Sequence, residues 1–366
     1  MNPIRVLIVD DSASVRQVLS SILNDEPGIS VIGAASDAFA AARRLQSELP
    51  DVIILDIEMP GMNGLTFLRK IMEQRPIPVI ICSTLTEAGS PMLFDALEAG
   101  AVDVLPKPRV GTRNALLETA DRLCHAVRAA AQARLRPKRA RMEIEKKLSA
   151  DAILPPPVLR RDRVATDRIV CIGSSTGGTE TLREVLEQLP ETSPGIVIVQ
   201  HMPERFTGAF ARRLNGLCRM DIKEAEDGDE LTTGRVLFAP GNRHIVLQRT
   251  GQRYHVAIKD GPPVSRHRPS VDVLFRSAAQ SAGANAMGVI MTGMGDDGAR
   301  GLLEMRNAGA MTLAQDEESC VVFGMPKEAI AAGAVQRITP LARIPREIMD
   351  WPSAQRSAPG PAARSA

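Results

Sequence analysis

Aromatic residues are scarce, 3% of 366 residues, with one Trp, one Tyr and eight Phe. A chain so poor in flat rings offers no platform for stacking bases. Charge of one sign is lacking as well: 45 basic against 43 acidic residues leave a formal net charge of +2. That is too weak a field for general nucleic-acid binding, and no helix-turn-helix pattern or concentrated basic recognition helix is present. The five cysteines, Cys82, Cys124, Cys171, Cys218 and Cys320, lie far apart with no C-x-x-C pair. An odd, scattered set excludes a disulfide frame or zinc site and reads as reduced thiols. Long apolar runs are missing too. Nothing approaches a membrane-spanning length, and the run Ile4–Val9 is too short for a secretory core and ends at Asp10-Asp11. The expectation is a cytoplasmic protein with no nucleic-acid partner and no membrane insertion.

What is present is alternation. Ile4–Val9 is a short β-branched run, as expected of a buried parallel strand. A helical pattern follows, with Val15, Val18, Leu19 and Ile22 on one face. Further strands are expected at Ser30–Ala34, Val52–Leu55, Val79–Cys82 and Val102–Leu105, and helices at Ala38–Ser47, Leu65–Glu73, Met92–Ala99 and Leu116–Ala130. Five such units predict a doubly wound α/β domain whose function gathers at the carboxyl ends of its strands. Those ends carry Asp10, Asp11, Asp56, Ser83 and Lys107. Converging carboxylates repel one another, and a divalent cation relieves the repulsion; hard Mg²⁺ suits their oxygens. A carboxylate beside that metal can attack a phosphoryl group. Taken singly, each acid reads as a solvated loop residue.

Val9-Asp10-Asp11, the stretch Leu55–Gly64 and Lys107-Pro108 together resemble a response-regulator receiver domain over the whole of residues 1–128. The resemblance implies a flavodoxin-like five-stranded parallel sheet, with Asp56 phosphorylated by a histidine kinase of the chemotaxis type. It implies Mg²⁺ held at Asp10, Asp11 and Asp56, with Ser83 and Lys107 contacting the phosphoryl group. Many receivers carry an aromatic switch residue three positions before the lysine. Here that position is Val104, so an output built on a rotating ring is not expected.

Residues 129–166 are rich in Ala, Arg and Lys and then reach Pro155-Pro156-Pro157, the composition of a linker. Residues 353–366, dominated by Pro, Ala, Ser and Gly, read as a disordered tail. Between them, residues 167–352 form a second α/β unit. Its first stretch, Ile169–Gly178, is an apolar run that stops in small and hydroxyl residues before a helical segment. The letters fit G-x-S-x-G with Ser175 at the nucleophile position. A glycine-rich phosphate loop and a plain turn fit the same stretch. The next buried run, Gly195–Val199, ends in Gln200-His201, where a nucleotide-binding unit should offer an acid for a ribose. His201 is the favoured general base, because neither His244 nor His267 directly follows a buried parallel strand, although either could touch substrate. His125, in the last receiver helix, reads as exposed. The run Ala286–Met291 ends in glycines and the acids Asp296 and Asp297, either of which could orient a histidine or simply cap a helix.

Gly173–Gly178, Gln200–Pro203, Ala239–Gly241, Asp260–Pro263, Arg268–Asp272, Thr292–Gly298 and Cys320–Pro326 occur in this order behind the receiver. They make the second unit similar throughout to the catalytic domain of the chemotaxis protein-glutamate methylesterases, the CheB family. The resemblance implies an α/β domain with a mainly parallel sheet and a Ser175, His201 and Asp297 triad. It implies methyl-accepting chemoreceptors as substrate, methanol as product and a second activity as protein-glutamine glutaminase. No cofactor is expected for the esterase reaction. The backbone N–H groups of Thr176 and Met294 are the expected oxyanion donors. By charge alone, Arg266 and Arg268 are candidates for binding receptor acids.

Overall fold

The computed structural model describes residues 3–59, 63–83, 91–108, 113–135 and 168–351. Pro60-Gly61-Met62, the expected linker beyond Leu135 and the expected tail at 353–366 lie outside the described residues.

The N-terminal unit runs β1 (Ile4–Val9), α1 (Ala13–Asn24), β2 (Ile29–Ala35), α2 (Ala38–Ser47), β3 (Val52–Leu55) and α3 (Gly64–Gln74). It continues with β4 (Val79–Ser83), α4 (Pro91–Glu98), β5 (Asp103–Pro106) and α5 (Arg113–Ala131). Each strand arises from a β-branched apolar run. The first helices start where a short polar side chain satisfies an otherwise unpaired amide: Ser12 accepts from Val15, Asp37 from Ala40 and Asn63 from Leu65. All sheet pairings are parallel, in the order β2-β1-β3-β4-β5. Successive residues serve opposite faces: Val6 and Ile8 enter the core under α1 and α5, while Leu7 and Val9 enter the core under α2 and α3.

The C-terminal unit begins with β6 (Ile169–Ser174), α6 (Gly178–Gln188), β7 (Gly195–Gln200), α7 (Glu204–Leu217), β8 (Asp221–Glu224), β9 (Glu230–Leu231) and β10 (Arg235–Phe238). Then come β11 (His244–Thr250), β12 (Arg253–Lys259), α8 (Val271–Ser281), β13 (Ala286–Ile290) and α9 (Ala299–Asn307). The last elements are β14 (Met311–Gln315), α10 (Met325–Ala331), β15 (Arg337–Thr339) and α11 (Ile344–Asp350). Seven strands form one parallel sheet, β15-β14-β13-β6-β7-β10-β8, and β11-β12-β9 form a small antiparallel sheet beside it. Among the described residues, no helix is long and apolar enough to cross a membrane.

The central strand β6 has β7 on one side and β13 on the other. The chain leaves β6 in one direction and returns on the far side later, so the strand order reverses there. Such a switch point opens a crevice at the carboxyl ends of the strands. The ends of β13, β6 and β7 are those that lead into Asp297, Ser175 and His201. Helix α8 is pressed onto this edge through Val271, and two glycines make the fit possible. A Cβ at Gly173 would lie 2.2 Å from Val271 Cγ1, and one at Gly298 would lie 2.6 Å from the same atom. Gly298 also adopts φ 98°, in the left-handed region that a side chain disfavours. Gly173→Ala should therefore lower the stability of the C-terminal unit by about 1–3 kcal/mol, the usual range for overpacking. Urea unfolding followed at Trp351, which lies in this unit, measures the loss; an unchanged midpoint would show that Val271 yields freely.

Candidate active site

The site is assembled from three strand ends by backbone bonds. The Ser175 amide donates to Thr292 O at 3.0 Å, and the His201 amide donates to Ser174 O at 3.0 Å. Gln200 adds a side-chain tie. Its Nε2 donates to Ser175 O at 2.9 Å and to His201 O at 3.0 Å, while its Oε1 accepts from Ser174 Oγ at 2.7 Å. The glycine turn after β6 is not an open phosphate cradle. A Cβ at Gly178 would lie 2.0 Å from Gln200 Oε1, and one at Gly177 would lie 2.5 Å from Val321 Cβ.

Asp297 is fully buried, whereas Asp296 is exposed. Four donors converge on the Asp297 carboxylate. Oδ1 accepts from Ser270 Oγ at 2.7 Å and the Asp272 amide at 3.0 Å; Oδ2 accepts from the Val271 amide and from His201 Nε2, both at 2.8 Å. An ionised carboxylate is an acceptor only, so this environment suits the charged form. Burial alone would raise its pKa, but His201, the Asp272 amide and the Ser270 hydroxyl outweigh burial and hold it below 3.8. Because the folded value is depressed, this contribution to stability is present above the ordinary carboxylate range and is lost only as pH falls through the lower value.

His201 Nε2 donates to Asp297, so in the neutral ring Nδ1 carries the lone pair. Nδ1 is buried and has no hydrogen-bond partner. It is the atom free to accept a proton, and the two nitrogens are exchanged relative to the serine-protease template. Ser175 and His201 line one narrow cavity, but Ser175 does not donate to Nδ1 in this arrangement. Active-site bonds of this kind often close only when substrate is bound. The Thr176 and Met294 amides make no backbone hydrogen bond among the described residues, so both remain available.

The cavity's other wall is the N-terminal unit: Leu97, Asp103 and Val104 face Ser175 and His201 across it. Phe206 and Met202 pack into that unit's core, and Arg213 pairs with Glu98 at 2.6 Å. Burial raises the Asp103 carboxyl to about 6, against the Val104 amide and the charges of Arg122 and His201. His125, expected to be exposed, is half-buried here. Its ring meets His267 edge-on with centroids 6.0 Å apart, and burial followed by the charges of His201 and Arg266 lowers its pKa. Helical periodicity within α5 cannot reveal a surface covered by a different unit.

The carboxyl-end pocket of the N-terminal unit is also assembled. Lys107 Nζ lies 2.7 Å from Asp56 Oδ2 and 2.8 Å from Asp10 Oδ2. Asp10 and Asp56 are each 1% exposed, and Asp11 is exposed. Burial raises the Asp56 pKa despite Lys107; for Lys107, the two acids overcome burial and raise it. Oxygens of Asp10, Asp11 and Asp56 come within 4.8 Å of one another, an all-carboxylate set that fits Mg²⁺. Ser83 closes β4 and is buried, and its carbonyl accepts from the Lys107 amide at 3.0 Å.

The family model described as CheB methylesterase matches residues 170–348, and that described as response regulator receiver domain matches residues 6–120. A protein-glutamate methylesterase/protein-glutamine glutaminase of Rhodopseudomonas palustris is 69% identical over 97% of this chain and 98% of its own length. One of Bradyrhizobium diazoefficiens is 69% identical over 95% of this chain and 96% of its own. This chain belongs to the CheB methylesterase family. The crystal structure of the Thermotoga maritima CheB methylesterase catalytic domain, 38% identical, aligns with a TM-score of 0.50 over 51% of this chain and all of that one. The receiver and methylesterase folds expected from the sequence are both present.

Within the CheB fold, several contacts had no clear sequence signal. Ser270, which the sequence shows only as part of the Arg268–Asp272 stretch, makes no side-chain cap bond to α8 and turns its hydroxyl to Asp297. Gln200 reads as the absence of a ribose acid and as the first residue of the Gln200–Pro203 motif, neither of which signals its ties to Ser174, Ser175 and His201. Arg268 is exposed, and its guanidinium bonds Asn242 Oδ1 at 2.9 Å and Gly261 O at 2.6 Å; Arg266 is exposed on the His125 side of the cleft. Asp297→Asn should be far from conservative, because an amide group would confront donors already aimed at it. The expected loss in kcat is about 10⁴-fold, as in the related template, read from initial rates of ester hydrolysis; a loss under tenfold would deny Asp297 its orienting role.

Proposed function

We propose that this chain is a phosphorylation-activated serine esterase of sensory adaptation. It hydrolyses γ-glutamyl methyl esters on chemoreceptors, releases methanol, and also deamidates receptor glutamines to glutamate in the cytoplasm. The observation that carries this reading is His201, which is held from behind by the buried Asp297 and shares with Ser175 a cavity walled by the receiver. Residues 1–128 are the receiver, 129–166 the linker, 167–352 the catalytic domain and 353–366 the tail.

Ser175 attacks the ester carbonyl while His201 Nδ1 takes its proton. Asp297 fixes the tautomer by holding Nε2–H and stabilises the positive charge that develops on the ring. The amides of Thr176 and Met294 receive the oxyanion. His201 returns the proton to the departing methanol, or to ammonia in the glutaminase reaction, and then activates the water that frees the acyl-enzyme.

Control lies in the receiver. A histidine kinase of the chemotaxis type supplies the phosphoryl group to Asp56. Asp10, Asp11 and Asp56 would hold Mg²⁺, which when bound offsets charge on the transferring group. Ser83 and Lys107 contact the phosphoryl group once it is attached. Phosphorylation adds about −2 charge beside Lys107, which now spans Asp56 and Asp10. Loss of that pairing loosens the β5–α4 face on which Leu97, Asp103 and Val104 cover the cleft. Val104 thus occupies the switch position as a packing residue. A tenfold change in activity requires only about 1.4 kcal/mol between covered and open forms.

Methanol release from methylated receptor membranes tests the assignment. Release should rise with a small-molecule phosphodonor and Mg²⁺ and vanish in Ser175→Ala; release untouched by that change would assign another nucleophile. Asp103 supplies a second test. Its carboxyl is raised from 3.8 to about 6 in the covered form, so ionisation above that pH weakens the cover. Asp103→Asn removes this penalty. At pH 7.5 it should lower the unphosphorylated rate by about tenfold or more, leave the phosphorylated rate unchanged, and flatten the ratio of the two rates between about pH 4 and 6. A higher unphosphorylated rate would mean that the carboxylate attracts rather than strains the cover.

A further inference from the structure

The strained backbone of the C-terminal domain lies beside the catalytic histidine. Ser265 and Arg266 have φ 48° and 66°, and neither is glycine. Such residues cost about 1–3 kcal/mol each and persist only where their surroundings impose them. Here Val264 and His267 exchange both backbone hydrogen bonds, at 3.0 and 2.9 Å, closing a tight turn with positive φ at its two central positions. Ser265 Oγ donates to Asp272 Oδ2 at 2.9 Å and anchors the turn to α8.

The turn presents one side chain to the site. The His267 ring stacks on the His201 ring with centroids 3.8 Å apart and planes 3° from parallel. Its tilt is fixed from within the turn, because Nδ1–H donates to Ser265 O at 2.7 Å. Its Nδ1 lies 4.0 Å from Asp297 Oδ2, the oxygen that also holds His201. The assigned mechanism uses none of these contacts.

We propose that His267 is a positioning residue for the esterase reaction: its ring is a rigid, uncharged floor that fixes the plane of His201 and faces the positive charge developing there. The inference rests on His201 as the general base. With Nε2–H held by Asp297, the His201 ring can still rock about that bond and swing Nδ1 away from Ser175. A parallel ring at van der Waals distance removes this freedom. The floor must be neutral, since a second cation 3.8 Å away would oppose protonation of His201. Burial first, then the charges of His201 and His125, depress the His267 pKa to about 3 against the pull of Asp297, so it stays uncharged throughout the working range. The electron-rich face of a neutral ring favours a cation above it.

The test uses the full chain with phosphodonor and Mg²⁺, comparing His267→Ala with His267→Phe, which keeps a flat ring and has no titratable nitrogen. His267→Ala should lower kcat for methanol release about 10- to 100-fold, the scale of a misplaced catalytic group, with KM within about twofold. His267→Phe should recover kcat to within about fivefold of the parent. In ¹H–¹⁵N spectra of the same proteins, the low-field His201 Nε2–H resonance should broaden in the Ala variant and stay sharp in the Phe variant. Unchanged kcat in His267→Ala would overturn the proposal. Equal losses in both variants would also overturn it, by assigning His267 a proton-carrying nitrogen; so would a rise in KM alone, by assigning it a substrate contact. If the parent releases no methanol that depends on Ser175, the esterase reading fails, and the resonance still reports separately whether His267 holds the ring.

Discussion

The geometry of the site depends on one buried carboxylate. Asp297 sits at the carboxyl end of β13 and accepts four hydrogen bonds, three from the start of α8 and one from His201. It therefore joins three parts of the domain: the glycine loop after β13, the amino end of α8 and the histidine after β7. A buried anion is costly unless every lone pair finds a donor. That requirement explains why Gly298 turns with positive φ, why Val271 is seated between two glycines, and why Ser270 faces inward. The packing of α8 onto β6 and the orientation of His201 thus have a common origin.

The receiver uses related physics for another end. Asp10 and Asp56 are buried too, but Lys107 offsets them through one shared ammonium group. A phosphoryl group on Asp56, as proposed, would redistribute that single charge, a change localised enough to shift one face of a small domain. The same face carries Val104 and Asp103 against the esterase cleft. In the proposed mechanism β5 would couple phosphorylation to catalysis, since Lys107 lies just after the strand and the cleft-facing residues within it.

Most of this was legible in the chain itself. Strand and helix periods pointed to five β/α units of a doubly wound domain, because parallel strands buried on both faces must be continuously apolar; the strand order itself comes from the structure. Ser175 and His201 were candidates because each follows such a run, where polar residues fall at one sheet edge; Asp296 and Asp297 both follow the third run, and only the family resemblance chose Asp297. What stayed hidden depends on contacts between distant segments. Nothing local tells that His201 gives Nε2 rather than Nδ1 to Asp297. The helical context of His125 describes a surface residue, and that of His267 at most a substrate contact, unless one knows that the receiver docks there and that a strained turn folds His267 against His201.

The most direct test of the account is the rate at which a neutral, serine-directed fluorophosphonate labels the full chain, read by mass spectrometry of the peptides. The account predicts labelling at Ser175 alone, accelerated when phosphodonor and Mg²⁺ are added and not accelerated in Asp56→Asn. Labelling at another serine, or the same rate with and without phosphodonor, would contradict it.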